Sequence, residues 1–490
     1  MSGAPQKNPS TGIAVRGSQE NNLRKRTWTI LAVISAAICL SSGAFSEDNF
    51  SQSSWSKDRN PAYQFEARSA ANEFEGQFHD YTKEIAARAL ALIDRNKREG
   101  AALDQRWYTL RRFGENLEQI RKATEVRFYG GREPEVLRAI ASPYVSLDPI
   151  VPDQDPSEIR LFVGRRHANS SDLVIIGQNG KEVALKTVIR FAYLFKFMDD
   201  KNKRDIIGFD SFLRKVKVYL SSTSAQQEFI SFFHRYQITD PDVVMIGFQR
   251  DARAVLTQAG IGDPERYSSD SLRVNWYPNA NGKKILLVSI NGNRIFASRA
   301  GAVIEAMLET FHSPPRTIVF FGSSGAIDSP QLLGQIVAPT IVALQENFAP
   351  DRHDAKLAHI IRNRAATVVP IKTAHMSVES VVVETLNWAA TNGQRRIMTV
   401  DQELFHVINA FNASPRASQT ELFVGLLVTD NVPATSGFPE TSFQCAEDVI
   451  ARTGAVRRQF FTKILDQAGI IPQSYLVTRP KIYMKSNRLK

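Results

Sequence analysis

Apolar positions recur at spacings of three, four and seven through Phe74, Phe78, Tyr81, Ile85 and Leu92, and again through Leu103, Trp107, Leu110, Leu117 and Ile120. That is the stripe of an amphipathic helix. With Gly100 between the two runs, residues 62–128 are expected to form a helical region, a packing hairpin rather than a dimerising coiled coil, because Arg88 and Gly114 interrupt the heptads. Four prolines within 143–156 predict an extended loop. The apolar runs Leu173–Ile176 and Val183–Leu185 flank Asn179-Gly180 and predict a β-hairpin; helical patterning follows over 191–195 and 229–236. Residues 129–240 therefore read as an accessory α+β region. From Asp242 the texture changes. Strand-like runs at 243–246, 285–290, 317–321, 335–340, 366–371, 397–400 and 421–428 alternate with helical patterns at 251–259, 300–311, 378–390, 403–412 and 446–467. Such alternation predicts an α/β domain over 241–475, a mixed sheet with helices on both faces, ahead of a basic tail at 476–490.

The first sixty residues differ in kind. Residues 1–26 and 47–61 are polar and rich in Ser, Asn, Gly and Pro, and read as a disordered tail and a linker. Between them, residues 27–46 carry no charge, follow Arg24-Lys25-Arg26 and precede Glu47-Asp48. The length suits a single membrane-spanning anchor. The charge asymmetry puts the following chain on the extracytoplasmic side. A cleaved signal peptide, with a small-residue site near Ser42-Gly43-Ala44 and an exported soluble product, is the competing expectation. The reversed orientation would instead place the α/β domain against cytosolic nucleotides.

Length and composition narrow the classes. At 490 residues with 43% apolar content the chain is long enough for two or three domains. The net charge of +11 is scattered, with short clusters at 24–26 and 201–204. No basic stripe with interleaved aromatics is present, which argues against a nucleic-acid partner. The two cysteines, Cys39 and Cys445, cannot make a disulfide framework, since Cys39 falls in the apolar segment. Histidine and acidic spacings give no metal site, and no phosphate-binding loop or dinucleotide fingerprint occurs, so no cofactor is expected.

Candidate chemistry collects in the C-terminal half. The run Thr317–Phe321 leads straight into Gly322-Ser323-Ser324-Gly325-Ala326, with Gly334 beyond. A buried strand ending in a Gly/Ser turn brings backbone N–H groups and small hydroxyls close to a ligand. A second strand, Gly425–Val428, releases Thr429-Asp430 at its end. Open α/β sheets place their sites at such strand ends.

These segments resemble the nucleoside phosphorylase/nucleosidase superfamily, and within it the methylthioadenosine/S-adenosylhomocysteine nucleosidase branch, over about 242–470. Val244-Met245-Ile246-Gly247 resembles the opening strand and first substrate loop. Gly322–Ala326 with Gly334-Gln335-Ile336-Val337 resembles the central Gly-Ser-x-Gly-Gly turn and the strand after it. Val400-Asp401-Gln402-Glu403 and Leu427–Asp430 resemble the Glu-Met-Glu helix start and the Ser-Asp strand end. The resemblance implies a three-layer α/β/α sandwich, self-association into a homo-oligomer, and cleavage of an N-glycosidic bond in a nucleoside or nucleotide substrate. It further implies Asp430 as the acid that protonates the departing purine and Glu403 as the carboxylate gripping the ribose hydroxyls. Gln402 would serve through its backbone, and Ser323 and Gly325 would line the ribose or phosphate end. Ser377 and Val378 fall where the base wall is expected.

The departures from the pattern sharpen these expectations. Phe320 and Phe321 stand where phosphorylases of the superfamily place a phosphate-holding arginine, which favours water as the acceptor. Hydrolytic members carry acidic residues after the first strand; here Asp251 could orient the water, in a register one residue short, while Arg250 or Arg253 could instead bind phosphate. Arg294 is a further candidate for phosphate in a phosphorylase. His375 is expected to be a loop residue rather than a catalyst. A binding module that senses nucleosides without turnover is the alternative from another functional class.

Overall fold

The computed structural model describes residues 63–64, 77–98, 123–131, 133–140, 144–150, 159–166, 170–201, 209–269, 272–290, 297–327, 329–345, 356–359, 363–378, 384, 386–432, 446 and 448–472. The apolar segment 27–46, the second helical run 103–120, Cys39, Cys445 and Arg294 lie outside these. Among the described residues, no helix is long and apolar enough to cross a membrane.

The N-terminal part is one seven-stranded sheet in the order β1-β4-β5-β6-β3-β7-β2. Its strands are β1 Tyr63–Gln64, β2 Phe78–Asp80, β3 Val126–Gly130, β4 Tyr144–Ile150, β5 Ile159–Arg166, β6 Ser171–Gly177 and β7 Val216–Ser221. β3 pairs in parallel with β6 and β7, and the outer strands run antiparallel. Helices α1 Thr82–Arg98, α2 Glu133–Ile140, α3 Lys181–Lys201 and α4 Phe209–Lys215 complete it. Four sequence expectations change here, the first being that the loop expected over 143–156 holds strand β4. Residues 62–128 are not purely helical: Phe78 sits on β2, while Ile85 and Leu92 do face the core from α1. β3 straddles the boundary expected at 128/129, so the helical and accessory regions share one sheet. The stretch after Asn179-Gly180 is helix α3 rather than the return strand of a hairpin. Val183-Ala184-Leu185 continues with Val188, Ile189 and Ala192 at helical spacing, and burial of that stripe outweighs a local turn signal.

The C-terminal part is built on a ten-stranded mixed sheet, ordered β14-β13-β15-β16-β12-β8-β11-β10-β9, with β17 pairing β12 and β13 off this path. The strands are β8 Val243–Ile246, β9 Glu265–Ser268, β10 Leu272–Ala280, β11 Lys283–Ile290, β12 Thr317–Ala326, β13 Ile336–Gln345, β14 Lys356–His359, β15 Lys372–Val378, β16 Thr399–Asp401 and β17 Glu421–Asn431. The helices are α5 Ala225–Arg235, α6 Gln249–Gln258, α7 Ala297–Thr310, α8 Leu386–Gln394, α9 Leu404–Ala413 and α10 Gly454–Gln467. Two buried layers sandwich the sheet. One unites Phe229 and Phe233 of α5, Val303 and Met307 of α7 and Val407 and Ile408 of α9 with the strands. The other unites Val255 and Leu256 of α6 with Phe461 and Ile464 of α10. This is the expected mixed sheet with helices on both faces, and it begins at α5, ahead of residue 241.

Local chemistry explains the element ends. Ser224 and Gln227 form a capping box at the start of α5, each side chain accepting from the other's backbone N–H at 3.2 Å. Asn281 and Gly282, both at positive φ, close a two-residue turn in which Ala280 pairs with Lys283. Twist compatibility makes such a turn the natural hairpin connection between β10 and β11.

Candidate functional site

Strand β12 changes partner along one edge. Thr317–Phe320 pair with β8, whereas Gly325 and Ala326 pair antiparallel with Val400 and Thr399 of β16. The sheet parts where β8 ends. Gly247 there has φ of +89°, and a Cβ on it would sit 2.1 Å from the Phe321 carbonyl oxygen. Only glycine permits that approach. On its other edge β12 runs parallel to β17 as far as Ser324↔Val428, after which Gly325 pairs with Asp430. Thr429 is thus an extra residue, a bulge that re-aims the end of the strand. Its hydroxyl lies 3.0 Å from Asp430 Oδ1 and donates to it. A Cβ on Gly325 would meet Val432 Cγ2 at 2.8 Å and Asp430 Oδ2 at 3.2 Å. The Asp430 carboxylate therefore lies against the floor of the Gly/Ser turn, in space that the absence of a side chain at Gly325 leaves open.

The second carboxylate group arrives from β16. Asp401 at its end accepts from the N–H groups of Glu403 and Leu404, both at 3.2 Å to Oδ1, and caps the start of α9. Negative charge is favoured at that helix end. Ser377 of β15, paired in register with Asp401, donates its hydroxyl to Asp401 Oδ1 at 2.7 Å and accepts from Phe405 N–H at 2.9 Å. Gln402 is buried, and its N–H lies 3.3 Å from Glu403 Oε2. β16 and β17 flank Gly325 on opposite edges, so the turn, Asp430 and the Asp401-Gln402-Glu403 run converge on one place.

A fourth carboxyl belongs to this group. Glu384 precedes α8 and is half-buried. Burial pushes its carboxyl well above the ordinary range; the charges of Asp430, Asp401 and Glu403 push the same way and Lys186 of α3 opposes them. Sequence reasoning did not single out Glu384. The available signal is a carboxylate that ends the apolar run Val381-Val382-Val383. His406, one turn along α9 from Glu403, is held below its ordinary pKa by burial, against the opposing charges of Glu182 and Asp401.

The remaining candidates spread out. Ser323 is exposed on β12, whereas Ser324 is buried and its hydroxyl has no hydrogen-bond partner. Val378 is fully buried in the core. Arg250 is exposed on α6, and Arg253 is half-buried. Asp251 is buried and paired with Arg457 of α10, Nε to Oδ2 at 2.6 Å, with Arg458 at 3.5 Å from Oδ1. Phe321 lies under α10, 4.5 Å centroid to centroid from Phe460 and 5.0 Å from Phe248. The position of the expected phosphate-binding arginine is thus part of an aromatic cluster. His375, expected in a loop, is instead a buried β15 residue: Nδ1 lies 2.9 Å from Thr399 Oγ1, and Nε2 lies 2.9 Å from Asp401 Oδ1 but out of line for a hydrogen bond. The strand places it in register with Thr399, which a loop would not. No group of three or more His, Cys, Asp or Glu residues able to hold a metal ion occurs among the described residues.

No protein-family model and no curated protein matches this chain. Solved structures do. A study of two uridine phosphorylases from Phytophthora capsici provides one, at 15% identity and a TM-score of 0.35, over 45% of this chain and 91% of its own. The 5'-methylthioadenosine/S-adenosylhomocysteine nucleosidase of Helicobacter pylori matches at 12% identity and 0.37, over 47% and 99%. The futalosine hydrolase of Helicobacter pylori matches at 12% identity and 0.37, over 47% and 99%. These proteins belong to the nucleoside phosphorylase/nucleosidase superfamily that the sequence motifs resemble. The matched part is less than half of this chain.

Proposed function

We propose that the C-terminal domain hydrolyses the N-glycosidic bond of a purine nucleoside or nucleotide and releases the free base. The observation that carries this reading is the convergence of Asp430, lodged against Gly325, with the Asp401-Gln402-Glu403 helix start across the same turn. Breaking the bond develops positive charge on the ribose and negative charge on the base. A cluster of carboxylates favours the first, and a proton donated by a carboxyl neutralises the second. In this reading Asp430 delivers the proton to the base, Glu403 accepts hydrogen bonds from the ribose hydroxyls, and Ser377 fixes Asp401 so that α9 starts where Glu403 is needed. Water is the acceptor. The aromatic packing of Phe321 supports this over phosphorolysis, as does the surface position of Arg250.

The test is incubation of the full chain with a panel of purine nucleosides and nucleotides, with and without phosphate. Base release without phosphate is expected, and D430N should retain ligand binding while losing at least about a hundredfold in turnover. Release only with phosphate would move the assignment to a phosphorylase. Binding without release would support a nucleoside sensor, and undiminished turnover by D430N would sink the role of Asp430.

A further inference from the structure

Four polar side chains line one face of the β15–β16 pair. His375 and Ser377 alternate along β15, in register with Thr399 and Asp401 of β16. In that order they are 1%, 0%, 0% and 7% exposed. The residues between them, Met376 and Val400, join the apolar cluster shared with α3. Apolar partners would pair here with no polar group to desolvate, so a polar ladder in a sheet core calls for a role beyond pairing. The ladder leads to the start of α9. Glu403 occupies the N-cap position there, yet its side chain does not cap the helix. Asp401 does: Oδ1 accepts from the N–H groups of Glu403 and Leu404, each at 3.2 Å, and Oδ2 lies 3.1 Å from the Leu404 nitrogen. Whatever sets the Asp401 carboxylate therefore sets the backbone of Glu403. Ser377 donates to Oδ1 at 2.7 Å and accepts from the Phe405 N–H at 2.9 Å. His375 Nε2 lies 2.9 Å from the same Oδ1. A ring lone pair that close to a carboxylate would be repelled, so Nε2 carries the proton even though it is out of line for a hydrogen bond. In the neutral ring Nδ1 is then an acceptor, and the Thr399 hydroxyl, 2.9 Å away, donates to it.

We propose that His375 is a positioning residue for Glu403. Oriented by Thr399, its Nε2–H steadies the Asp401 carboxylate, which fixes the first turn of α9 and with it the carboxylate that meets the ribose hydroxyls. His375 acts through Asp401 rather than on the substrate. Its loss should loosen recognition of the ribose and leave Asp430, on the other edge of β12, in place. The effect on ribose recognition rests on the glycosidic-bond reading; the hold on the start of α9 does not.

The experiment uses the full chain with H375L, H375Q, T399V, E403A and H375L/E403A, and has two readouts. The first is native-state amide hydrogen exchange, which needs no ligand. H375L should speed exchange at Glu403, Leu404 and Phe405 by about tenfold or more, as expected when contacts to a charged acceptor weaken. The amides of Val319 and Val424 in the sheet core should not change. H375Q, which keeps an amide donor near the place of Nε2, should follow the parent. The second readout is kcat/KM for adenosine against 2′-deoxyadenosine. H375L should shrink that ratio by about tenfold toward the value of E403A, and should shrink it no further in the E403A background. Unchanged exchange at 403–405 in H375L would overturn the proposal, and so would equal acceleration throughout the domain, the mark of a merely structural residue. A ratio that stays at the parent's value while E403A lowers it would also overturn it. If H375L does not fold, T399V decides: the same three amides should exchange faster, and parental exchange there refutes the proposal. Absence of base release from every chain would refute the hydrolytic reading alone, since exchange still decides the hold on α9.

Discussion

Removing the carboxylate of Asp251 isolates a single buried charge. In D251N the Arg457 guanidinium loses the 2.6 Å contact of its Nε, in a place where the two side chains are 8% and 10% exposed. Breaking a buried pair from one side costs about 3–5 kcal/mol, because the remaining charge is left uncompensated. Arg457 keeps other partners: Nη1 donates to Ile450 O at 2.6 Å and to Thr453 Oγ1 at 2.9 Å, and its carbon lies 5.0 Å from the Phe248 ring centroid. These hold the loss to the lower end, about 3 kcal/mol. For a domain of roughly 150–250 residues that corresponds to a fall in thermal midpoint of about 6–12 °C. Differential scanning calorimetry on D251N, and on a chain with D251L and R457M together, measures it. The double variant should be less destabilised than the sum of the singles, since no charge is left behind. The ion pair also separates two roles for Asp251. A structural carboxylate predicts turnover per folded molecule within about threefold of the parent. A midpoint within 1–2 °C of the parent, equivalent to about 0.5 kcal/mol, would refute the reasoning. If kcat also fell by more than about tenfold, Asp251 would return to the site as the water-orienting residue.

Further variants probe the turn and its surroundings. G325A forces a Cβ to within 3.2 Å of Asp430 Oδ2 and 2.8 Å of Val432, so base release should fall by about a hundredfold with a stability loss of about 1–3 kcal/mol, read by kinetics beside calorimetry. S324A removes a buried hydroxyl that has no partner in the free protein, and its midpoint should equal or exceed the parent's in thermal melts. His406 is held below its ordinary pKa, so its contribution to stability is present above the unfolded value and is lost as pH falls through about 6.5 toward its lowered value. H406Q should therefore flatten the stability profile between about pH 5 and 7 in pH-resolved melts.

Much of the second sheet was legible because β8, β11, β12 and β17 are buried apolar runs. The 317–321 run ends in Gly322, the 421–428 run in Thr429-Asp430, and both are strands in the fold, longer than their apolar cores suggested. The two Asn-Gly pairs show where local reading stops. Asn281-Gly282 closes a true hairpin, with φ of 53° and 76°; Asn179-Gly180 precedes a helix, with Gly180 at 158°. The difference lies in the segment after each pair. Lys283–Ile290 alternates against β10, whereas Lys181 onward buries a helical stripe. Asp430 and Glu403 were readable as strand-end and helix-start carboxylates. The bulge at Thr429 was not, since an unpaired residue leaves no mark in hydropathy.

A strand that trades neighbours along one edge has two independent locks. The amides of Thr317–Phe320 are clamped between β8 and β17, deep among residues of near-zero exposure, while Gly325 and Ala326 face the three-residue strand β16 on that edge. In native-state amide hydrogen exchange, the first group should exchange only with global unfolding and the second by local opening. The Gly/Ser turn can then breathe against β16 and reclose without disturbing the sandwich beneath it.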